Sequence, residues 1–217
     1  MTQPSELAGY YQARAPEYDA VYAKPERQPD LRTLEHQLPT ALRGRRVLDV
    51  ACGTGYWTRL IAARALAVTA LDITPATLSI ARSRCDGVRV EFVQADAFQL
   101  PFAAGSFDAV FASFWISHVR KSRLVPFLSD LHRCLRPGAT VVLLDNRFVE
   151  GSSTPIASQD SEGNTFQDRR LENGSITRVL KNFPGEAELR DLVERDARAV
   201  DYQALDYYWV LRYELQR

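Results

Sequence analysis

The chain has 217 residues, with 27 Lys and Arg against 27 Asp and Glu; 46% of it is apolar and 25% charged. A chain of this length can bury a full hydrophobic core without metal or disulfide staples. Zero net charge argues against a dedicated nucleic-acid binder, and Arg43, Arg45 and Arg46 read as a solvated edge. Cys52, Cys85 and Cys134 are widely spaced with no C-x-x-C, which argues against both a disulfide framework and a zinc ribbon. His36, His118 and His132 fall in no H-x-x-x-H spacing, so no metal is expected. The first nineteen residues lack the apolar stretch of a signal peptide, and no run approaches the roughly 18 apolar residues of a membrane span. A reduced, cytoplasmic protein, monomeric or homodimeric, is the expectation.

The N-terminal stretch places Tyr10, Tyr11, Tyr18 and Tyr22 on helical spacing around Arg14. Two readings stand for it: a helix packing tyrosines on the core, or a lid over a ligand in which Tyr11 or Tyr18 faces a cationic centre and Arg14 a carboxylate. From Arg46 to Asp145 short β-branched runs alternate with helical stretches. Val47 to Val50 forms a first strand, followed by the turn Gly53-Thr54-Gly55 and a helix to Arg64. Ala67 to Leu71 is a second strand ending at Asp72, after which Thr74-Pro75 caps and opens a helix. Val88 to Val93 is a third strand and Phe107 to Ser113 a fourth. Leu124, Phe127, Leu128, Leu131 and Leu135 mark an amphipathic helix, which Pro137-Gly138 stops before a fifth strand over Thr140 to Leu144.

Past Glu150 the pattern changes. Thr165 to Gln167 and Ser175 to Val179 flank Asn173-Gly174, a strong hairpin signal. A helix is expected over Glu186 to Arg195, then strands over Ala199 to Leu205 and Tyr207 to Leu215. The whole predicts an α/β fold: a doubly wound, mostly parallel seven-stranded sheet with helices on both faces, and a β-hairpin cap inserted after the fifth strand. One domain is expected. It comprises an N-terminal helical lid (1–45), a ligand-binding core (46–145), the cap (146–184) and a C-terminal helix with a strand pair (185–217).

Ligands of such sheets bind beyond the carboxyl ends of the strands. There the first turn lacks the third glycine of a dinucleotide fingerprint, Thr58 standing in its place. Asp49, four residues before Gly53, would repel a pyrophosphate and attract an ammonium group. Asp72 is positioned to accept two ribose hydroxyls, and Asp96 to receive the exocyclic amine of an adenine. Three acids at three successive strand ends suit an adenosine that carries a cationic amino acid.

The runs VLDVACGTGYW, ALDIT, QADAFQLPF, FDAVFASFWISHV and LHRCLRPGATVVLLD resemble, in order, the motifs of the class I (Rossmann-like) S-adenosylmethionine-dependent methyltransferases of small-molecule type. The resemblance is close over residues 46–145; Tyr56 departs from it, standing where many members have a glycine. It implies S-adenosylmethionine as cofactor, with S-adenosylhomocysteine as product and no metal. By position it implies that Asp49, Ala51, Gly53, Gly55 and Trp57 line the methionine part, with Tyr11 and Arg14 over it. Asp72 and Ile73 would hold the ribose and adenine edge, Asp96, Ala97 and Phe98 the adenine, and Ser113 would sit beside the sulfonium. For the acceptor the expectations are Tyr22, Trp115, Asn146 and Arg147. His118 is the expected base, or else a histidine bonded at a helix start, and Tyr18 a second catalytic candidate. The expected function is methyl transfer to a small molecule, at oxygen or nitrogen rather than carbon. RNA or protein methylation, or binding without transfer, are the alternatives. Neutral charge and the sequence Phe111-Ala-Ser-Phe-Trp115, in place of an Asn-Pro-Pro-Tyr-like run, count against the macromolecular ones.

Overall fold

The computed structural model describes residues 4–171 and 173–216. An N-terminal helix α1 (Pro4–Arg14) runs into a 3-10 stretch (Ala15–Tyr22), and α2 (Gln28–Ala41) leads to the first strand. The alternating region then folds as β1 (Arg46–Val50), α3 (Tyr56–Ala62), β2 (Ala67–Asp72), α4 (Pro75–Arg84), β3 (Val90–Gln94), β4 (Phe107–Ser113), α5 (Lys121–Arg133) and β5 (Leu135–Asn146). The last third contains β6 (Ser158–Gln159), β7 (Thr165–Arg170), β8 (Ile176–Leu180), α6 (Glu186–Val193), β9 (Ala197–Ala204) and β10 (Tyr208–Leu215).

Seven strands form one sheet in the order β3-β2-β1-β4-β5-β10-β9. The first five pair in parallel, and β10 runs antiparallel to both β5 and β9. Each central strand is apolar on both faces, as a sheet covered on two sides requires. Alternation divides it between two cores. Leu48, Val50, Val110, Ala112, Val141 and Leu143 face α5 and α6. Val47, Ala109, Phe111, Val142 and Leu144 face α2, α3 and α4. Strand order reverses between β1 and β4, so the loops leaving these two strands part and open a crevice.

Several expected boundaries shift for local reasons. The helix expected to reach Leu135 ends at Arg133, and β5 begins at once, with Pro137 and Gly138 inside a register break opposite Phe107 to Ala109. Proline lacks a ladder donor and Gly138 has φ of 76°, so the pair makes a bulge rather than a stop. Thr74 precedes α4, yet its side chain makes no cap bond; Asp72 Oδ1 instead accepts from the Thr74 N–H and the Thr77 hydroxyl. The strands flanking Asn173-Gly174 extend to Arg170 and start again at Ile176. The tip is therefore a longer loop in which Asn173 Oδ1 accepts from the N–H and hydroxyl of Ser175.

β6, β7 and β8 make a separate three-stranded antiparallel sheet. A buried polar network joins it to the main sheet. Asn182 accepts from Thr165 N–H and donates to the Val119 carbonyl, and Asn164 accepts from Lys121 N–H. Among the described residues no helix is long and apolar enough to cross a membrane, and no group of His, Cys, Asp and Glu has the arrangement of a metal site.

Candidate functional site

Two cavities open at the carboxyl ends of the parallel strands. The first is walled by the loops after β1, β2, β3 and β4: Ala51 and Gly53, Asp72 to Thr74, Asp96 to Phe98, and Ser113 to Trp115. Tyr11 and Tyr18 cover it from the N-terminal segment. The second lies under the small sheet, between Arg169 and Lys181 on one side and Arg27, Asn146 and Tyr208 on another. Tyr11, Tyr18, Phe114 and His118 line both cavities and so form the wall between them.

In the first cavity the backbone is the main instrument. Ala51 and Phe114, directly after β1 and β4, both take left-handed φ of 55°. Such residues cost about 1–3 kcal/mol each and persist where the surroundings over-determine them. The two glycines of the first turn act differently. Gly53, with φ of 56°, lines the cavity and has open space beside its Cα, the nearest atom to an added Cβ being Tyr18 Cε1 at 4.0 Å. Gly55, with φ of 76°, lines no cavity; an added Cβ would stand 2.9 Å from the Ala81 Cβ on α4. One glycine leaves room for a ligand and the other lets two helices approach.

The acids also divide. Asp72 lines the cavity, but its Oδ2 already accepts from Gly53 N–H at 2.9 Å, so it braces the glycine turn from the neighbouring strand. Asp96 lines the cavity while Oδ1 accepts from Phe98 N–H. Asp49 lies beneath the turn and lines neither cavity. Its Oδ2 accepts from the Thr58 hydroxyl at 2.6 Å, and its buried Oδ1 has no partner. Burial, with the nearby Asp72 charge, pushes the Asp49 carboxyl up to about 7. Ile73 leaves 39% of an apolar side chain exposed on the cavity wall. Phe98 packs against Trp115, and the Arg123 guanidinium lies 4.1 Å from the Phe98 ring centre.

The N-terminal segment is stapled down by charge. Arg84 on α4 pairs with Asp19 and donates to the Thr54 carbonyl, while the Thr54 hydroxyl donates to Asp19 at 2.6 Å. This bracket ties the tyrosine stretch to the glycine turn. Arg14 lines the second cavity rather than the first; it donates to the Tyr10 hydroxyl and lies over the Tyr10 and Tyr18 rings.

His118 sits in the dividing wall with both ring nitrogens engaged. Nδ1 is 2.6 Å from the Leu180 carbonyl, an acceptor only, so Nδ1 carries the proton. Nε2 therefore accepts, and the Tyr11 hydroxyl at 2.8 Å donates to it. Burial, reinforced by Lys181 and Arg169, holds the imidazole well below its ordinary pKa. Burial likewise pushes the Tyr11 phenol up to about 12 and the Tyr18 phenol higher still.

Five of the residues expected at the site line neither cavity, Asp49 among them. Trp57 is buried in the core against Phe111, and Gly55 packs on Ala81. Tyr22 is stacked on Tyr56 at 3.9 Å and lines neither cavity. Arg147 is exposed, donating to the Leu205 carbonyl at the sheet edge. Trp115 lines the first cavity and not the second, whereas Asn146 lines the second and accepts from Arg27. Sequence reading missed Arg27, Phe114 and Ser117, and the pairing of Lys181 with Asp145. Lys181 Nζ donates to Asp145 Oδ1 at 2.9 Å and to the Ser117 hydroxyl at 2.6 Å, and both charged side chains are almost fully enclosed. Only the oddity of a lysine closing an apolar strand, Val179-Leu180-Lys181, hinted at this pair.

A seven-stranded sheet of this order, with a glycine turn and acids at successive strand ends, defines the class I methyltransferase architecture. Residues 47–138 match the model of a methyltransferase domain family. A DhpI structure described as a complex with SAM and HEP is 30% identical, with a TM-score of 0.74 over 94% of both chains. A DhpI–SAH complex gives 29% and 0.77, covering 96% of this chain and 94% of that one. Among curated relatives, the demethylmenaquinone methyltransferase of Clavibacter sepedonicus is 43% identical over 103 residues, 47% of this chain and 41% of that protein. That of Thermus thermophilus is 35% identical over 137 residues, covering 60% and 61%. The chain thus spans less than half the length of the first of these relatives. It belongs to the class I S-adenosylmethionine-dependent methyltransferase family.

The first cavity fits the S-adenosylmethionine on which that family depends. The open side of Gly53 leaves room for close approach of a ligand, and the exposed Ile73 beside Asp72 and Asp96 suits an adenosine.

Proposed function

We propose that this chain transfers the methyl group of S-adenosylmethionine to a small acceptor held in the second cavity, at an oxygen or nitrogen atom. The observation carrying this reading is the shared boundary: Tyr11, Tyr18, Phe114 and His118 line both cavities, so ligands in them would meet beside these side chains. The bound cofactor supplies a methyl carbon activated by a positive sulfur. The protein's part is then to hold both partners and exclude water, which for well-oriented systems accounts for about 7–11 kcal/mol of a barrier. Gly53, Asp72, Ile73, Asp96, Ala97 and Phe98 would hold the cofactor, and Ser113 would lie next to the transfer point. Tyr11 and His118, bonded to each other, fix the wall.

RNA or protein methylation is disfavoured because the small sheet and the N-terminal segment roof the second cavity. The relatives named demethylmenaquinone methyltransferase suggest a quinone acceptor, but the second cavity is lined mainly by charged and polar side chains. Production of S-adenosylhomocysteine across a panel of small acids, amines, alcohols and quinols tests the reading. Binding of S-adenosylmethionine with no turnover on any of them would favour a binding protein with this fold.

A further inference from the structure

The second cavity is lined by six cationic side chains, Arg14, Lys24, Arg27, Arg169, Arg170 and Lys181, against the acids Glu17 and Asp168. Part of this charge is already matched. Lys181 is paired with Asp145, and Asp168 forms two hydrogen bonds with Arg178. Arg27 and Arg169 are different. Among the described residues neither guanidinium meets a carboxylate. Arg27 donates to Asn146 Oδ1 and the Ser152 hydroxyl, both at 3.2 Å, and Arg169 donates to Gln167 Oε1 at 2.9 Å. In each the Nε–H is buried with no acceptor at all. Arg27 is itself buried, with its guanidinium 5.4 and 5.7 Å from the ring centres of Tyr207 and Tyr208. A buried cation without a counter-ion is costly, and here two separate segments bring the buried Arg27 and the half-buried Arg169 to one hollow. Burial first of all lowers the Lys181 ammonium and the His118 imidazole, and the Arg169 charge adds to both.

On the methyl-transfer reading given above, we infer that the acceptor is a small oxygen acid bound as its anion by Arg27 and Arg169, and that its ionised oxygen receives the methyl group. The dividing wall supports the second half. A hydroxyl or ammonium acceptor must lose a proton on methylation, but His118 Nδ1 is a donor and Nε2 is occupied by Tyr11. An ionised oxygen has no proton to lose. One of its lone pairs forms the O–CH3 bond while the carbon–sulfur bond breaks with its pair passing to sulfur. The negative and positive charges cancel, leaving a methyl ester and a neutral thioether. Carboxylate and phosphoryl acids share this chemistry, and a guanidinium matches the oxygens of either.

The test uses the full chain loaded with S-adenosylhomocysteine and titrated calorimetrically with benzoate, phenyl phosphate, benzyl alcohol and benzylamine. The acids should bind and weaken as salt is raised, and the alcohol and amine should not compete with them. Arg169→Ala and Arg27→Ala should each weaken acid binding at least tenfold, about 1.4 kcal/mol, with Arg169→Lys intermediate and Arg212→Ala unchanged. Circular dichroism checks that each variant folds; if Arg27→Ala does not, Arg169→Gln carries the test. With S-adenosylmethionine the acid that fits should yield a methyl ester by mass spectrometry. An ester cleaved by mild alkali marks the carboxylate, and one that survives marks the phosphoryl acid. Equal binding of alcohol or amine, or unchanged affinity in Arg169→Ala, overturns the inference. Acid binding with no ester formed retires the nucleophile assignment alone. Failure to bind S-adenosylmethionine would instead defeat the underlying methyltransferase reading.

Discussion

The first cavity is walled by turns that leave four consecutive parallel strands, each within a few residues of a strand end. The second cavity draws on the segment before α2, the end of β5, the small sheet and the start of β10, and long polar side chains make its surface. Backbone N–H groups and short acids present a nearly fixed geometry, so the first wall suits a constant ligand. Arginines and lysines on separate segments make the second wall, so its charge depends on how those segments pack. A parallel sheet supplies the one, and an insertion after its fifth strand supplies the other.

The junction between the two should be the most fragile point. Replacing Lys181 by Met leaves the Asp145 carboxylate, which is fully buried, without its counter-ion. A loss of about 3–5 kcal/mol in urea unfolding is expected, and the Lys181→Met, Asp145→Asn double variant should recover part of it. An additive double variant would show that the pair does not bridge the two halves.

On the donor side, Asp72→Ala removes both the brace on Gly53 and an acceptor facing the cofactor. S-adenosylmethionine affinity should fall about tenfold to a hundredfold, on the order of 1.5–3 kcal/mol, while acid-probe binding on the other side changes little. Calorimetry with each ligand separately reads the contrast.

The two glycines offer a comparison within one turn. Both alanine variants pay about 1–2 kcal/mol for left-handed φ. Gly55→Ala should lose more stability than Gly53→Ala, because its Cβ would meet Ala81 at 2.9 Å. Gly53→Ala should lose donor affinity instead. Equal melting temperatures in the two variants would contradict this division.

The smallest effect concerns the wall. His118 is held neutral in the folded protein, its pKa lowered by burial and then by Lys181 and Arg169. In the unfolded chain it gains a proton below about pH 6.5 that the folded form resists. Stability should therefore fall as pH drops through 6.5, by up to about 1.4 kcal/mol per pH unit from this group. Comparing the chain with His118→Gln between pH 7.5 and 5.5 isolates the contribution, since groups common to both cancel. Identical pH slopes would mean that His118 takes up its proton as readily in the folded chain as in the unfolded one.

Regions differ in how far they could be read from sequence. The strands β1, β2 and β4 and the glycine turn follow from uninterrupted apolar runs and from residues whose φ demands are local, and Ala51, Gly53, Asp72, Asp96 and Ser113 do line one cavity. Trp57 and Tyr22 mislead because an aromatic beside a site and an aromatic beneath it look alike along the chain. Phe114 is silent for another reason: nothing in its side chain announces a left-handed backbone at the end of β4.

The sequence by itself determined the doubly wound sheet and the turns at its strand ends, because a strand and its following turn are written in adjacent residues. The tertiary structure alone decided which cations meet no carboxylate among the described residues, which histidine tautomer stands between the cavities, and how Lys181 reaches Asp145 across 36 positions. Those facts depend on burial and on the distance between segments far apart in the chain, and the free energy of a charge is set by what surrounds it.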